Sequence, residues 1–178
     1  MSTKQNKFLF KLFKKFNCKL MKQTKFKSLS FRDKRGYLTE ITPKKINKKF
    51  LYSILTNSNK NVLRGMHYNK KKNEEKLVYI LDGEILDVTV DLNKGKNFGK
   101  INYTKLKKND ILYIPKGFAH GYKCLGKSNT VLYLLTQKYS SRNNHGFIWN
   151  DKKFNIKWKI KNPILSNKDK NLKEYRKK

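Results

Sequence analysis

The sequence predicts an all-β domain, a sandwich or barrel built of short strands. Three observations carry this. From Phe26 to about residue 150 the chain falls into short runs rich in Val, Ile, Leu, Tyr and Thr, broken by Gly, Asn, Asp and Lys. One run, Glu84–Leu92, alternates cleanly, with Leu86, Val88, Val90 and Leu92 facing one way and Asp87, Thr89 and Asp91 the other. No long helical pattern interrupts that span. Regular strands separated by turn signals indicate a closed or double-layered sheet.

Taken in order, the chain opens with a basic, Phe-rich lead over residues 1–25. There Phe8, Leu9, Leu12, Phe13 and Phe16 recur at helical spacing among Lys11, Lys14, Lys15 and Lys19. This segment reads as an extension, either dispensable or an amphipathic helix able to touch a membrane surface or a partner. The predicted domain covers residues 26–178. Its strands are Gly36–Thr42, Phe50–Thr56 with a turn at 57–61, Val62–Tyr68, Lys76–Leu81, Glu84–Leu92, Ile101–Leu106, Asp110–Ile114, Gly121–Leu125 and Thr130–Thr136. After Trp149 comes a Lys-rich tail with room for a short peripheral helix.

At 178 residues, with 37% hydrophobic content, 11 Phe and 10 Tyr, the chain can bury one sizeable core. No apolar run approaches the length of a transmembrane helix. Cys18 and Cys124 give no disulfide framework, and with no export signal they predict a reduced, cytoplasmic setting. The net charge of +32 invites a nucleic-acid reading. Against it, only five of the 44 basic residues are Arg, and the lysines are scattered and mixed with Asn instead of gathered on one face. A general taste for Lys and Asn accounts for the charge. The same taste singles out Arg35 and Arg64, where the planar guanidinium fork suits phosphate in a way an ammonium does not.

Pro115-Lys-Gly-Phe-Ala-His120 follows a predicted strand and matches P-x-G-x-x-H, the second motif of the cupins. Their first motif, H-x-H followed by E and, after six residues, G, falls on His67, Asn69, Lys76 and Gly83. An amide and an ammonium stand where an imidazole and a carboxylate ligand belong, and a cation at that point repels a divalent metal. The chain therefore resembles a cupin, a double-stranded β-helix or jelly-roll barrel, without the metal site. What is left is a pocket lined by His67, Lys76 and His120. Histidine is suited to removing a proton beside a carbonyl near neutral pH. A nearby Lys or His stabilises the enolate oxygen that forms.

Several further blocks lie in one order from about Phe31 to Lys170. They include Arg32-Asp-Lys-Arg-Gly-Tyr-Leu-Thr-Glu40, Leu63-Arg-Gly-Met-His-Tyr68, Lys76-Leu-Val78, Gly83–Leu92, Ile114–Gly121, Trp149-Asn-Asp151 and Leu165–Asp169. Together they resemble the dTDP-4-dehydrorhamnose 3,5-epimerases, metal-independent cupins. The resemblance implies a cofactor-free, homodimeric enzyme with strands exchanged or paired across subunits. Such an enzyme inverts C3 and C5 of a nucleotide-linked 4-keto-6-deoxy sugar on the way to cell-surface polysaccharide. It implies His67 as the base, Asp169 as its partner, Tyr133 as the acid on the opposite face and Lys76 as the enolate stabiliser. His120 and Lys168 would touch substrate. Arg35 and Arg64 would hold the pyrophosphate or sugar region with Glu40 helping to order them, and Tyr139 would stack on the base.

Two departures stand out. Tyr52-Ser53-Ile54 replaces a Gln-Asp-Asn run usual in the family, and Asn144 replaces a frequent Glu. Both touch the nucleotide-sugar side, which leaves the nucleotide, the sugar and the number of inverted centres open. A 3,4-ketoisomerase is the nearest enzymatic alternative, although Tyr68-Asn69 stand where such enzymes carry a second His. A non-catalytic sugar-binding cupin is the alternative from another class. One geometric conflict also arises. Residues three apart on a regular strand face opposite sides, so Arg64 and His67 converge on one pocket either because Gly65 marks a bulge or because Arg64 reaches around a strand edge, and convergence is the expectation.

Overall fold

Residues 22–71 and 73–176 are described by the structure, a computed structural model. The strands are β1 (Thr24–Lys27), β2 (Leu29–Asp33), β3 (Gly36–Glu40), β4 (Tyr52–Asn59), β5 (Leu63–Asn69), β6 (Lys76–Asp82), β7 (Glu84–Asp91), β8 (Ile101–Lys107), β9 (Asp110–Ile114), β10 (Phe118–Cys124), β11 (Ser128–Leu135) and β12 (Asn144–Gly146). One short helix, α1 (Asn167–Lys170), follows. Two five-stranded antiparallel sheets face each other, ordered β1-β9-β6-β11-β4 and β12-β5-β10-β7-β8, and β2 and β3 form a separate hairpin. This is the cupin jelly roll.

The strand expectations hold in kind and shift at the ends. The predicted turn at 57–61 is mostly strand, because β4 runs on to Asn59 opposite Ser128. The β2 arm of the hairpin, although Leu29 and Phe31 alternate with Ser30 and Arg32, and the three-residue β12 lie outside the expected strands. The boundary at residue 25 also moves. Thr24 pairs with Tyr113, and the Gln23 amide binds Thr89 and Thr104, so residues 23–25 belong to the barrel. The helical pattern over residues 8–16 lies outside the described residues.

Three apolar layers explain the alternation. Val78, Ile80, Ile85, Leu112, Tyr122 and Val131 meet between the sheets. Leu77, Tyr79, Ile111 and Tyr113 cover the outside of the first sheet beneath Ile46 and Phe50. Leu63, Met66, Val88 and Val90 cover the outside of the second sheet beneath Phe147, Phe154, Ile156 and Trp158. In β7 the polar side is therefore the inside of the barrel: Asp87 and Thr89 are fully buried there. The apolar side faces outward and is sealed by the C-terminal segment. Each such side chain contributes about 1.5–3 kcal/mol on burial, so the segment is held firmly.

Polar ties fix its path. Lys123 is buried, and its ammonium donates to the carbonyls of Trp158 (2.6 Å) and Lys159 (3.3 Å). Burial and the Lys159 charge lower its pKa. Asp151 accepts from the backbone N–H groups of Lys153 and Tyr175. Leu63 and Ile164 join by a backbone hydrogen bond of 3.0 Å. The segment is thereby delivered to the barrel mouth just where α1 begins.

The bulge expected in β5 is present. His120 opposes His67 while Tyr122 opposes Arg64, so β5 spends one residue more than β10 over this stretch. Gly65 takes up the difference at φ +118°, and a Cβ there would lie 2.7 Å from the Gly121 Cα and 2.9 Å from the His120 carbonyl oxygen. Only glycine accepts that backbone and that contact. Gly65→Ala is expected to cost about 2–4 kcal/mol of stability through strain and overpacking, measured by urea unfolding.

Candidate active site

A cavity of about 270 Å³ opens at one end of the barrel, lined from both sheets. From the first sheet come Ile54 and Thr56 on β4, Lys76 on β6, and Tyr133 and Leu135 on β11. From the second come Arg64, His67 and Asn69 on β5 and His120 and Tyr122 on β10. Tyr139, Asn144, Lys168 and Asp169 close the mouth.

His67 and Asp169 lie 102 positions apart in sequence, yet His67 Nε2 is 2.7 Å from Asp169 Oδ1. Ser166 makes this possible. It caps α1, its hydroxyl accepting from the Asp169 N–H at 3.1 Å, and so turns the carboxylate toward β5. Asp169 is 3% exposed, and its other oxygen accepts from the Gly65 N–H at 3.4 Å. Burial alone would raise its pKa. The His67 hydrogen bond and charge, together with the Gly65 and Ser166 contacts, outweigh burial and hold the carboxyl below its ordinary value. A carboxylate so placed fixes the imidazole's orientation and tautomer.

A second His–carboxylate pair sits deeper. His120 Nε2 is 2.6 Å from Asp87 Oδ2, with both residues buried. Asp87 went unnoticed in the sequence because it occupies the polar side of β7, which reads as solvent-facing. Tyr133 stands on the opposite wall from His67, its ring edge-on to His120 at 6.0 Å between centroids. Burial, above all, pushes its phenol well above the ordinary value of 10.0; Tyr122 and Asp87 add to this and Arg64 partly offsets it. Tyr122 in turn lies 3.1 Å from the Thr56 hydroxyl.

Lys76 reaches the cavity with a partner the sequence did not single out, the Glu74 carboxylate at 3.2 Å. Arg64 is held by the Ser58 hydroxyl (3.0 Å) and the Asn57 carbonyl (3.4 Å). Lys168 and Tyr139 line the mouth. Two expected residues are elsewhere. Arg35 is 90% exposed at the tip of the β2–β3 hairpin and pairs with Asp33, not Glu40. Glu40 ends the same hairpin, opposite Leu29. Within one chain neither lines the cavity, because among the described residues the hairpin pairs with no other strand.

With this arrangement in view, the comparisons with known proteins decide the family. The family model described as dTDP-4-dehydrorhamnose 3,5-epimerase matches residues 17–177. This chain belongs to the dTDP-4-dehydrorhamnose 3,5-epimerase family. It is 35% identical to the Shigella flexneri enzyme of that name, over 84% of this chain and 89% of the other. It is 33% identical to the one from Methanothermobacter thermautotrophicus, over 82% and 85%. The Bacillus anthracis epimerase, solved with TDP and pyrophosphate bound, superposes with a TM-score of 0.80 at 32% identity, covering 88% of this chain and 95% of the other. The Legionella pneumophila enzyme in complex with dTDP-4-keto-L-rhamnose gives 0.77 at 30% identity, covering 85% and 87%. The chain is thus an isomerase of the carbohydrate-epimerase class.

Two pH effects follow. The depressed Asp169 carboxyl favours the folded, paired state above the unfolded carboxylate value of about 3.9, and this contribution fades as pH falls through its lower folded value. Asp169→Asn is expected to remove that acid-side dependence of stability, read from unfolding midpoints across an acid series. On the alkaline side, Tyr133 keeps its proton in the folded protein beyond pH 10.0. An ultraviolet titration of folded wild type and Tyr133→Phe should show the same tyrosinate absorbance through that range.

Proposed function

We propose that this protein epimerises C3 and C5 of a nucleotide-linked 4-keto-6-deoxy sugar, with dTDP-4-dehydro-6-deoxy-D-glucose converted to dTDP-4-dehydro-L-rhamnose. One observation carries the mechanism: a carboxylate-paired imidazole and a buried phenol stand on opposite walls of one small cavity. Inversion needs a proton taken from one face of a carbon and another returned to the opposite face. His67, oriented by Asp169, removes the proton beside the C4 ketone. The electrons move onto the ketone oxygen, and the enolate is met by the Lys76 ammonium from one sheet and His120 from the other. Tyr133 returns a proton from the far side. Arg64 and Lys168 hold the pyrophosphate, and Tyr139 stacks on the base.

The active form in this reading is a cytoplasmic homodimer. Leu29, Phe31, Tyr37 and Leu38 on the hairpin are 52–68% exposed. Leu55, 63% exposed, lies on β4, an edge strand. Exposed apolar side chains beside an open sheet edge favour pairing with another chain. A second copy laying its hairpin along this edge would bring Arg35 and Glu40 to a neighbouring cavity mouth, which accounts for their place away from their own.

Incubation with the dTDP ketosugar in deuterium oxide, followed by NMR, tests the chemistry. Label at C3 and C5 is expected, and label at C3 alone would mean a single epimerase. His67→Ala should lower exchange by about 100- to 10,000-fold. Tyr133→Phe should still exchange the proton facing His67 while inverted product falls sharply. Sedimentation equilibrium should give a dimer, and Arg35→Ala should raise KM.

A further inference from the structure

The cavity mouth holds one ring more than the mechanism uses. Tyr52 opens β4 opposite Leu135, two residues from Ile54, and so lies on the strand face that lines the cavity. The loop after β11 brings Tyr139 back beside it. Their ring centroids are 6.4 Å apart with planes 25° from parallel, at the wide end of the roughly 4.5–7 Å range of paired rings. Tyr52 is 42% exposed and Tyr139 48%, so ring surface remains open to solvent. Ile54 and Leu135 continue the wall inward, and Arg64 and Lys168 supply cations within the same cavity.

We propose that Tyr52 is a second nucleobase-binding residue, forming with Tyr139 a two-ring aromatic grip against whose exposed faces the base stacks. This rests on the nucleotide-sugar reading and deepens it. A phenol ring beside Tyr139 offers a base a flat apolar face. Stacking is indifferent to base identity because every base has such a face. The grip therefore contributes affinity with little discrimination between thymine and uracil, and the cations next to it take the diphosphate.

Calorimetric titration of dTDP, UDP and inorganic pyrophosphate into the full-length protein tests this, using wild type, Tyr52→Phe and Tyr52→Ala. Tyr52→Ala is expected to weaken dTDP and UDP by similar factors, about 5- to 150-fold for one lost stacking ring. Tyr52→Phe should keep both affinities. Pyrophosphate should bind all three proteins alike, which also establishes that the variants are folded. KM for the ketosugar should rise in step with the dTDP Kd. An unchanged dTDP Kd in Tyr52→Ala, or an equal loss toward pyrophosphate, overturns the grip while leaving the nucleotide reading intact. Wild type that binds pyrophosphate but neither nucleotide overturns both.

Discussion

The extra residue at Gly65 is the constraint on which the site depends. Without it, Arg64 and His67 would point to opposite faces of β5, and one of them would be buried under Trp158 and Phe147 instead of facing the cavity. With it, the His67 imidazole and the Arg64 guanidinium share one wall, and the Gly65 N–H is aimed at Asp169. The close approach of Gly65 to Gly121 leaves no room for a side chain in either strand. The same contact that packs β5 on β10 therefore also sets the direction of the chemistry.

Asp169 reaches His67 only because the C-terminal segment is fastened over the outside of the second sheet. Trp158, Phe154 and Ile156 seal the apolar side of β7, Lys123 grips the carbonyls beside Trp158, and Ile164 binds the start of β5. The result is a His–carboxylate pair assembled from segments 102 positions apart in the chain. Its counterpart, His120 with Asp87, forms across neighbouring strands and lies deeper. The cavity has one carboxyl partner behind each imidazole and a buried phenol facing them, which suits moving protons between two faces of a sugar ring.

Much of this was legible beforehand, for identifiable reasons. His67, His120 and Lys76 stand in motifs whose spacing is set by a strand, a turn and the next strand, so local sequence carries them. Asp87 and Glu74 were not legible: a carboxylate on the polar side of an alternating strand, or in a charged loop, looks solvated until the barrel closes around it. Lys123 was hidden among 44 basic residues. Arg35 and Glu40 were placed at the site by resemblance, yet in a single chain they sit on a hairpin that pairs with no other described strand.

The sequence by itself determined the all-β class, the turn glycines, the cupin motifs with an amide and an ammonium at ligand positions, and the conflict between Arg64 and His67 that a bulge at Gly65 is one way to resolve. These depend on residue type and short-range spacing, which a chain carries in one dimension. Tertiary structure alone decided which side of β7 is inside, which carboxylate meets which histidine, and that Tyr52 stacks beside Tyr139. Those depend on the closing of two sheets and the return of distant segments, where burial and contact bring together what spacing keeps apart.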